Sequence, residues 1–195
     1  MKHGGFLITG TGRCGTKYVS QYLIAKGLDV QHEKVGKHGT SSWDLACGKK
    51  YFIKTDLPRF DKTIHIVRDP MKVINSFAIT VPQWEGAWLF ISQNSPVKRT
   101  DSQLLKAMKH WYHWNLMAEG IADVTIRIED WSLKTIGDIF SLSGEEPDVP
   151  KDMNSRNSWN LMGVQYTVDD CFRENEALME KIQKLALRYG YKKST

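Results

Sequence analysis

Three blocks of the chain gather residue types that hold anions. The first is Gly10-Thr11-Gly12-Arg13-Cys14-Gly15-Thr16-Lys17, directly behind the apolar run Phe6-Leu7-Ile8. Its glycines let the backbone curl so that successive N–H groups point inward, and a helix starting at its far end adds the positive end of a dipole. Arg13, Thr16 and Lys17 contribute two cations and a hydroxyl. The second block ends in Lys54-Thr55-Asp56, and the third sets Arg68 behind the run Ile64 to Val67 with Ser76 eight residues later. An arginine presents a planar fork to a phosphate, and a serine on the following helix adds a hydroxyl. A ligand with phosphates at both ends needs two separated anion sites, which the cradle at 10–17 and the pair Arg68 and Ser76 supply.

These residues leave several chemistries open. A nucleotide triphosphatase loop would place Gly-Lys before Ser or Thr, whereas here the lysine of Gly15-Thr16-Lys17 stands one place late. A kinase or triphosphatase reading would still put Lys17 on the phosphates and Asp69 or Asp130 on magnesium. A ligand-free glycine turn, or an anion-binding protein without catalysis, also fits the cradle. A cysteine phosphatase is excluded, because the arginine required six residues after Cys14 is Ser20. His110 and His113 lie three apart without a third ligand, so no metal site is expected.

The elements that must position these blocks follow from periodicity. Phe6 to Ile8 reads as a buried strand and Gly15 to Ala25 as a helix carrying Val19, Tyr22 and Leu23 inward, capped by Gly27. Leu28 to His32 reads as a second strand, Lys34 to Gly48 as loop, Tyr51 to Thr55 as a strand and Thr63 to Val67 as another. Pro70 suits the first turn of a helix carrying Val73, Ile74 and Phe77. The pattern breaks up from Val81 to Thr100. Ser102 to Glu119 and Trp131 to Leu142 read as helices on either side of a strand from Asp123 to Ile128. A polar loop from Ser143 to about Met162 precedes a closing helix from Asp169 to Tyr189. Strands alternating with helices predict an α/β fold of three layers, a mostly parallel sheet flanked by helices, with ligands at the carboxyl ends of the strands. That rim would collect Gly10 to Lys17, Asp56, Arg68 and Glu129-Asp130.

The 195 residues predict one domain, 1–195, and 41% hydrophobic with 25% charged residues is ordinary for a globular chain. A net charge of +5 suits an anionic ligand and falls short of a dedicated nucleic-acid binder, so no nucleic-acid partner is expected. Cys14, Cys47 and Cys171 are far apart and form no paired motif, which predicts free thiols and a reducing, cytoplasmic location. No apolar stretch approaches the roughly 18 residues of a membrane span, and Met1 to Gly5 runs into the first strand without a signal peptide, so no membrane partner is expected.

In three blocks, in order, the chain resembles the sulfotransferases, enzymes with a P-loop-like fold that move a sulfuryl group from 3′-phosphoadenylyl sulfate (PAPS) to a hydroxyl or amine. Gly12-Arg13-Cys14-Gly15-Thr16-Lys17 is similar to the loop that holds the donor's 5′-phosphosulfate. Ile53-Lys54-Thr55-Asp56-Leu57-Pro58 resembles a strand-end motif in which Lys-Thr-His-Leu-Pro is frequent, and Ile66-Val67-Arg68-Asp69-Pro70 through Ser76 resembles the 3′-phosphate block. The resemblance implies donor binding by Gly12, Arg13, Cys14, Gly15, Thr16, Lys17, Arg68 and Ser76. It further implies Arg156, in a basic loop Asn154-Ser155-Arg156-Asn157 closing over the 3′-phosphate. It implies catalysis by Arg13, acting electrostatically, with Lys17 in place of the second threonine common in the family, and with Asp56 as base where relatives place histidine. Metal-independent transfer, 3′-phosphoadenosine 5′-phosphate (PAP) as product and a small-molecule or saccharide acceptor follow from the same resemblance. Arg127, Glu129 and Asp130 are similar to an Arg-x-Glu-Asp stretch at the family's last strand, where a structural role is expected. Trp84, Trp88, Trp111 and Trp114 are candidates for an acceptor pocket.

Overall fold

Phe6, Leu7 and Ile8 fall in β1 (Gly5–Gly10), which is flanked on both sides by parallel neighbours and is apolar on both faces. The computed structural model describes residues 5–80, 85–149 and 165–192. Among these, five strands form one all-parallel sheet in the order β2–β3–β1–β4–β5. The other strands are β2 (Val30–His32), β3 (Gly39–Ser41), β4 (Phe60–Val67) and β5 (Val124–Arg127). Helices cover both faces, giving the expected three-layer α/β architecture. No helix among the described residues is long and apolar enough to cross a membrane.

The two-residue alternation of β4 sorts its side chains between the faces. Ile64 and Ile66 join Ile8, Val19, Tyr22 and Leu23 beneath α1 (Thr16–Ala25) and Ile136 and Phe140 of α5 (Leu133–Phe140). Val67 faces the larger core, built with α2 (Pro70–Thr80), α3 (Glu85–Asn94), α4 (Gln103–Ile121) and α6 (Val168–Arg188). His65 is buried between β4, β5 and α4, with Nε2 3.0 Å from Asn115 Oδ1 and Nδ1 3.1 Å from Thr125 Oγ1. Burial holds its pKa below the ordinary value, so it stays a neutral bridge.

Helix α4 is pinned to the rim. Ser102 caps it by accepting from the Leu105 N–H, and two fully buried indoles tie it down: Trp111 donates to the Arg68 carbonyl (3.2 Å) and Trp114 to the Trp43 carbonyl (2.7 Å). In α6, Asn175 leaves helical geometry, and its side chain accepts from the Leu178 N–H to restart the helix.

Three elements differ from the sequence reading. Tyr51 to Thr55 forms no strand. The N–H groups of Tyr51 and Phe52 donate instead to the buried Asp44 carboxylate, at 2.6 and 3.0 Å, which bends the segment away from the ladder. The place beside β1 is taken by Gly39–Ser41, inside the stretch read as loop, and a short 3-10 turn (Asp44–Cys47) follows it. Gly39 has φ 133° and an added Cβ would lie 2.0 Å from the Phe6 carbonyl oxygen, so only glycine allows this approach. The segment read as irregular also contains α3, which turns Ala87, Phe90 and Ile91 into the core.

Candidate functional site

The carboxyl end of β1 opens into the glycine turn. Cys14 closes it by donating its N–H to the Thr11 carbonyl (3.3 Å), and Arg13 (φ 71°) and Gly15 (φ 110°) both take left-handed backbone before α1 begins at Thr16. The Gly12 N–H donates to His110 Nε2 at 3.1 Å, so this nitrogen carries no proton. Complete burial pushes His110 down to about 3, which keeps the ring neutral, stacked on Phe77 at 4.1 Å. A Cβ at position 12 would meet Phe77 Cε2 at 2.9 Å, so glycine is what lets the loop lie against α2. Cys14 is buried and its thiol is pushed up to about 12, which leaves it protonated and unreactive.

The first and third anion blocks meet at this turn. Arg13 Nε donates to Ser76 Oγ at 2.9 Å, and Arg68 Nη1 donates to the Arg13 carbonyl at 3.2 Å. Burial, then the charge of Arg68, lowers the Arg13 pKa from its ordinary value. No carboxylate among the described residues lies within 4.0 Å of either guanidinium. Two like charges held together with no described carboxylate within 4.0 Å are electrostatically suited to an anion. The side chain of Arg13 therefore belongs with Arg68 and Ser76, and Lys17 is the cation facing the opposite end of the site.

That end is a cavity of about 220 Å³, with Gly12, Arg13, Gly15, Thr16 and Lys17 along one side and His32 and Glu33 at the end of β2. Thr16 Oγ1 lies 3.2 Å from His32 Nε2. Glu33 has φ 56° and is held there by its N–H donating to the Ser41 carbonyl (3.0 Å). Burial, then the nearby Asp44 charge, raises Glu33 to about 7, while Lys17 pulls it back. Burial and Lys17 together push His32 down to about 4. The 3.8 Å approach of His32 Nδ1 to Glu33 is thus a contact of a neutral imidazole with a carboxyl that titrates near neutrality, not an ion pair. Trp43, Phe77, Ala87 and Ile91 form the remaining wall.

Gly12, Arg13, Cys14, Gly15, Thr16, Lys17, Arg68 and Ser76 are brought together around this turn. Asp56 is not. Its side chain is fully exposed, 3.8 Å from Lys50 and outside the cavity, because the strand expected to carry it to the rim does not form. Arg156 and Trp84 lie outside the described residues. Trp111 and Trp114 are core residues and Trp88 packs on Phe77 at 5.5 Å away from the cavity, whose indole is that of Trp43. Asp69 caps α2 through the Lys72 N–H (3.0 Å), and Asp130 pairs with Arg127 at 2.6 Å, so both candidate magnesium ligands have structural duties. Arg127 also donates to the Gly190 carbonyl, and Glu129 accepts from Tyr191, which tie β5 to the chain beyond α6. No group of three metal-ligating side chains occurs among the described residues.

Glu33, Trp43 and His110 lie in or against the site without having been singled out for it by sequence. Only Glu33 had a local signal, a carboxylate directly after a short strand. No family model, curated protein or solved structure matches the chain.

Proposed function

We propose that the protein is a sulfotransferase that moves the sulfuryl group of PAPS to an acceptor hydroxyl. The observation that carries this reading is the convergence of Arg13, Ser76 and Arg68 on a glycine turn that opens a helix, with no carboxylate of the described residues within 4.0 Å of either guanidinium. A donor with a 3′-phosphate and a 5′-phosphosulfate fits two anion sites about one turn. Arg68, Ser76 and Arg13 would hold one phosphate, and Thr16, Lys17 and the start of α1 the other.

PAPS supplies the sulfuryl group: a bond forms from the acceptor oxygen to sulfur as the bond from sulfur to the 5′-phosphate oxygen breaks, the electron pair remaining on PAP. Glu33, in place of Asp56, takes the hydroxyl proton. A carboxyl poised at about 7 is a far better base at neutral pH than an ordinary one. Lys17, beside Glu33, neutralises the charge that develops on the leaving oxygen, and His110 holds the loop by accepting from Gly12. Together the cations can stabilise charge as a divalent ion does in phosphoryl transfer.

Calorimetric titration with PAP, against ATP plus magnesium, tests the reading. Metal-independent PAP binding that weakens about 10- to 100-fold in Arg68→Ala is expected for loss of a charge-assisted contact. Preference for magnesium ATP, indifferent to Arg68, would move the protein to the kinase class.

A further inference from the structure

The cavity has two unlike sides. Beyond the cradle the wall is Trp43, Phe77, Ala87 and Ile91, all at most 5% exposed, with Phe77 directly against Gly12. Their side chains offer a ligand chiefly a carbon surface. The wall is also rigid. The Trp43 carbonyl is already taken by the Trp114 indole, and the Trp43 ring meets Phe52 and Phe90 edge-on at 6.0 Å each. Phe77 lies flat on His110, 8° from parallel, and edge-on to Trp88. Among the described lining residues, the polar groups beyond the cradle are His32 and Glu33, at one end only.

From this division, and resting on the sulfotransferase reading, we propose that the acceptor is a flat apolar aromatic hydroxyl compound, a phenol of one ring. Its ring would lie against Trp43, Phe77, Ala87 and Ile91 with the hydroxyl at Glu33. A saccharide of the same size carries several hydroxyls, and each one buried against this wall without a partner weakens binding roughly 5- to 100-fold. A protonated amine is disfavoured by the three cations Arg13, Lys17 and Arg68. The size agrees, since the whole cavity, which the transferring group of the donor shares, is about 220 Å³, below the roughly 300–1,000 Å³ of sites for drug-sized ligands, and leaves room for a single ring. The acid–base match agrees as well. A phenol, with a pKa of about 10, lies within about three units of a base at about 7, whereas an aliphatic alcohol, close to water at about 16, is much further away. In the step, the phenol oxygen forms the new bond to sulfur, its proton passes to the Glu33 carboxylate and PAP leaves with the electron pair, sulfur keeping its oxidation state.

The test uses the full chain with 4-methylphenol and methyl α-glucoside as single-ring probes of opposite polarity. Saturable binding of 4-methylphenol to the PAP-loaded protein is expected, with formation of its sulfate ester from PAPS at a kcat/KM at least 100-fold above that for the glucoside. Ala87→Leu, which fills the wall, should raise KM for 4-methylphenol at least 10-fold with PAP affinity kept as the measure of an intact fold. The two acceptors on the unaltered protein decide the matter even if that variant does not fold. Equal or better turnover of the glucoside, or no saturable binding of 4-methylphenol to the PAP-loaded protein, overturns the acceptor class and leaves the donor site standing. Failure of PAP itself to bind is the distinct result that removes the sulfotransferase reading and this inference together.

Discussion

Glu33→Gln should make the protein more stable and less active, by amounts that depend on pH in a defined direction. The folded protein raises this carboxyl from the ordinary 4.5 to about 7. At 1.36 kcal/mol per pKa unit the ionised form is disfavoured in the fold by about 3 kcal/mol, and the partial exposure of the group brings this to about 2–3 kcal/mol. The sign follows from proton counting. Between pH 4.5 and 7 the folded state holds the proton more tightly than the unfolded chain, so the stability is fully present below about 4.5 and lost as pH rises through about 7. The glutamine cannot ionise and escapes that loss. His32 acts with the opposite sign, since its pKa is lowered to about 4, and its contribution is lost as pH falls; being present in both proteins, it largely cancels in their difference. Thermal unfolding at pH 5, 6, 7 and 8 should therefore give Tm values that differ by only about 2 °C at pH 5 and separate by about 5–10 °C at pH 8, the variant being higher. Turnover should behave inversely, rising through pH 7 in the unaltered protein and falling about 100-fold or more in the variant. Tm differences that do not change with pH, or a variant less stable at pH 8, would refute a buried carboxyl poised at neutrality.

Asp56→Asn discriminates between the two carboxylates: with its side chain fully exposed and outside the cavity, the variant should keep turnover within about twofold, whereas loss of activity would return the base to that segment. Gly10→Ala should cost about 3 kcal/mol in denaturant unfolding, because an added Cβ would stand 2.1 Å from the Ile66 carbonyl oxygen, a backbone atom of the paired strand. Gly120→Ala, inside α4 with nothing within 4 Å of an added Cβ, should instead stabilise by about 0.5–1 kcal/mol, so the two glycines separate close approach from helix propensity in one assay.

The parts of the fold legible in the sequence are those whose hydrophobic pattern and turn chemistry agree. The runs Phe6 to Ile8 and Ile64 to Val67 are buried strands, and glycine and proline mark the starts and stops of α1 and α2. β3 was illegible because Gly39, Thr40 and Ser41 are buried by hydrogen bonds instead of apolar packing. Ser41 Oγ donates to the Thr16 carbonyl (2.8 Å) and Thr40 Oγ1 to the Gln31 carbonyl (3.4 Å), which leaves no periodic signal. Tyr51 to Thr55 has the composition of a strand and loses the ladder to Asp44, a single carboxylate several residues upstream. The same exchange decides the site. That Arg13, Lys17, Arg68 and Ser76 come together about one turn was legible because each lies in a short block at a strand end, read locally. Glu33 was not, since its proximity to Lys17 comes from the pairing of β2 with β3 beside β1.

Strain marks the same place independently. Arg13, Glu33 and Ser141 are the non-glycine residues with positive φ among the described residues, and the first two line the cavity. Such backbone costs about 1–3 kcal/mol per residue, which glycine would avoid. At both positions a side chain that is also electrostatically unfavourable is retained: a guanidinium beside another guanidinium, and a carboxyl raised by burial and by Asp44. Each position is held by a hydrogen bond from the rim, the Arg68 side chain to the Arg13 carbonyl and the Glu33 N–H to the Ser41 carbonyl. Two costs of different origin, backbone and charge, coincide at two residues far apart in sequence and adjacent to one cavity. Packing alone gives no reason for that coincidence, whereas the proposed function, with a polyanion at one end of the pocket and a base near neutrality at the other, accounts for both.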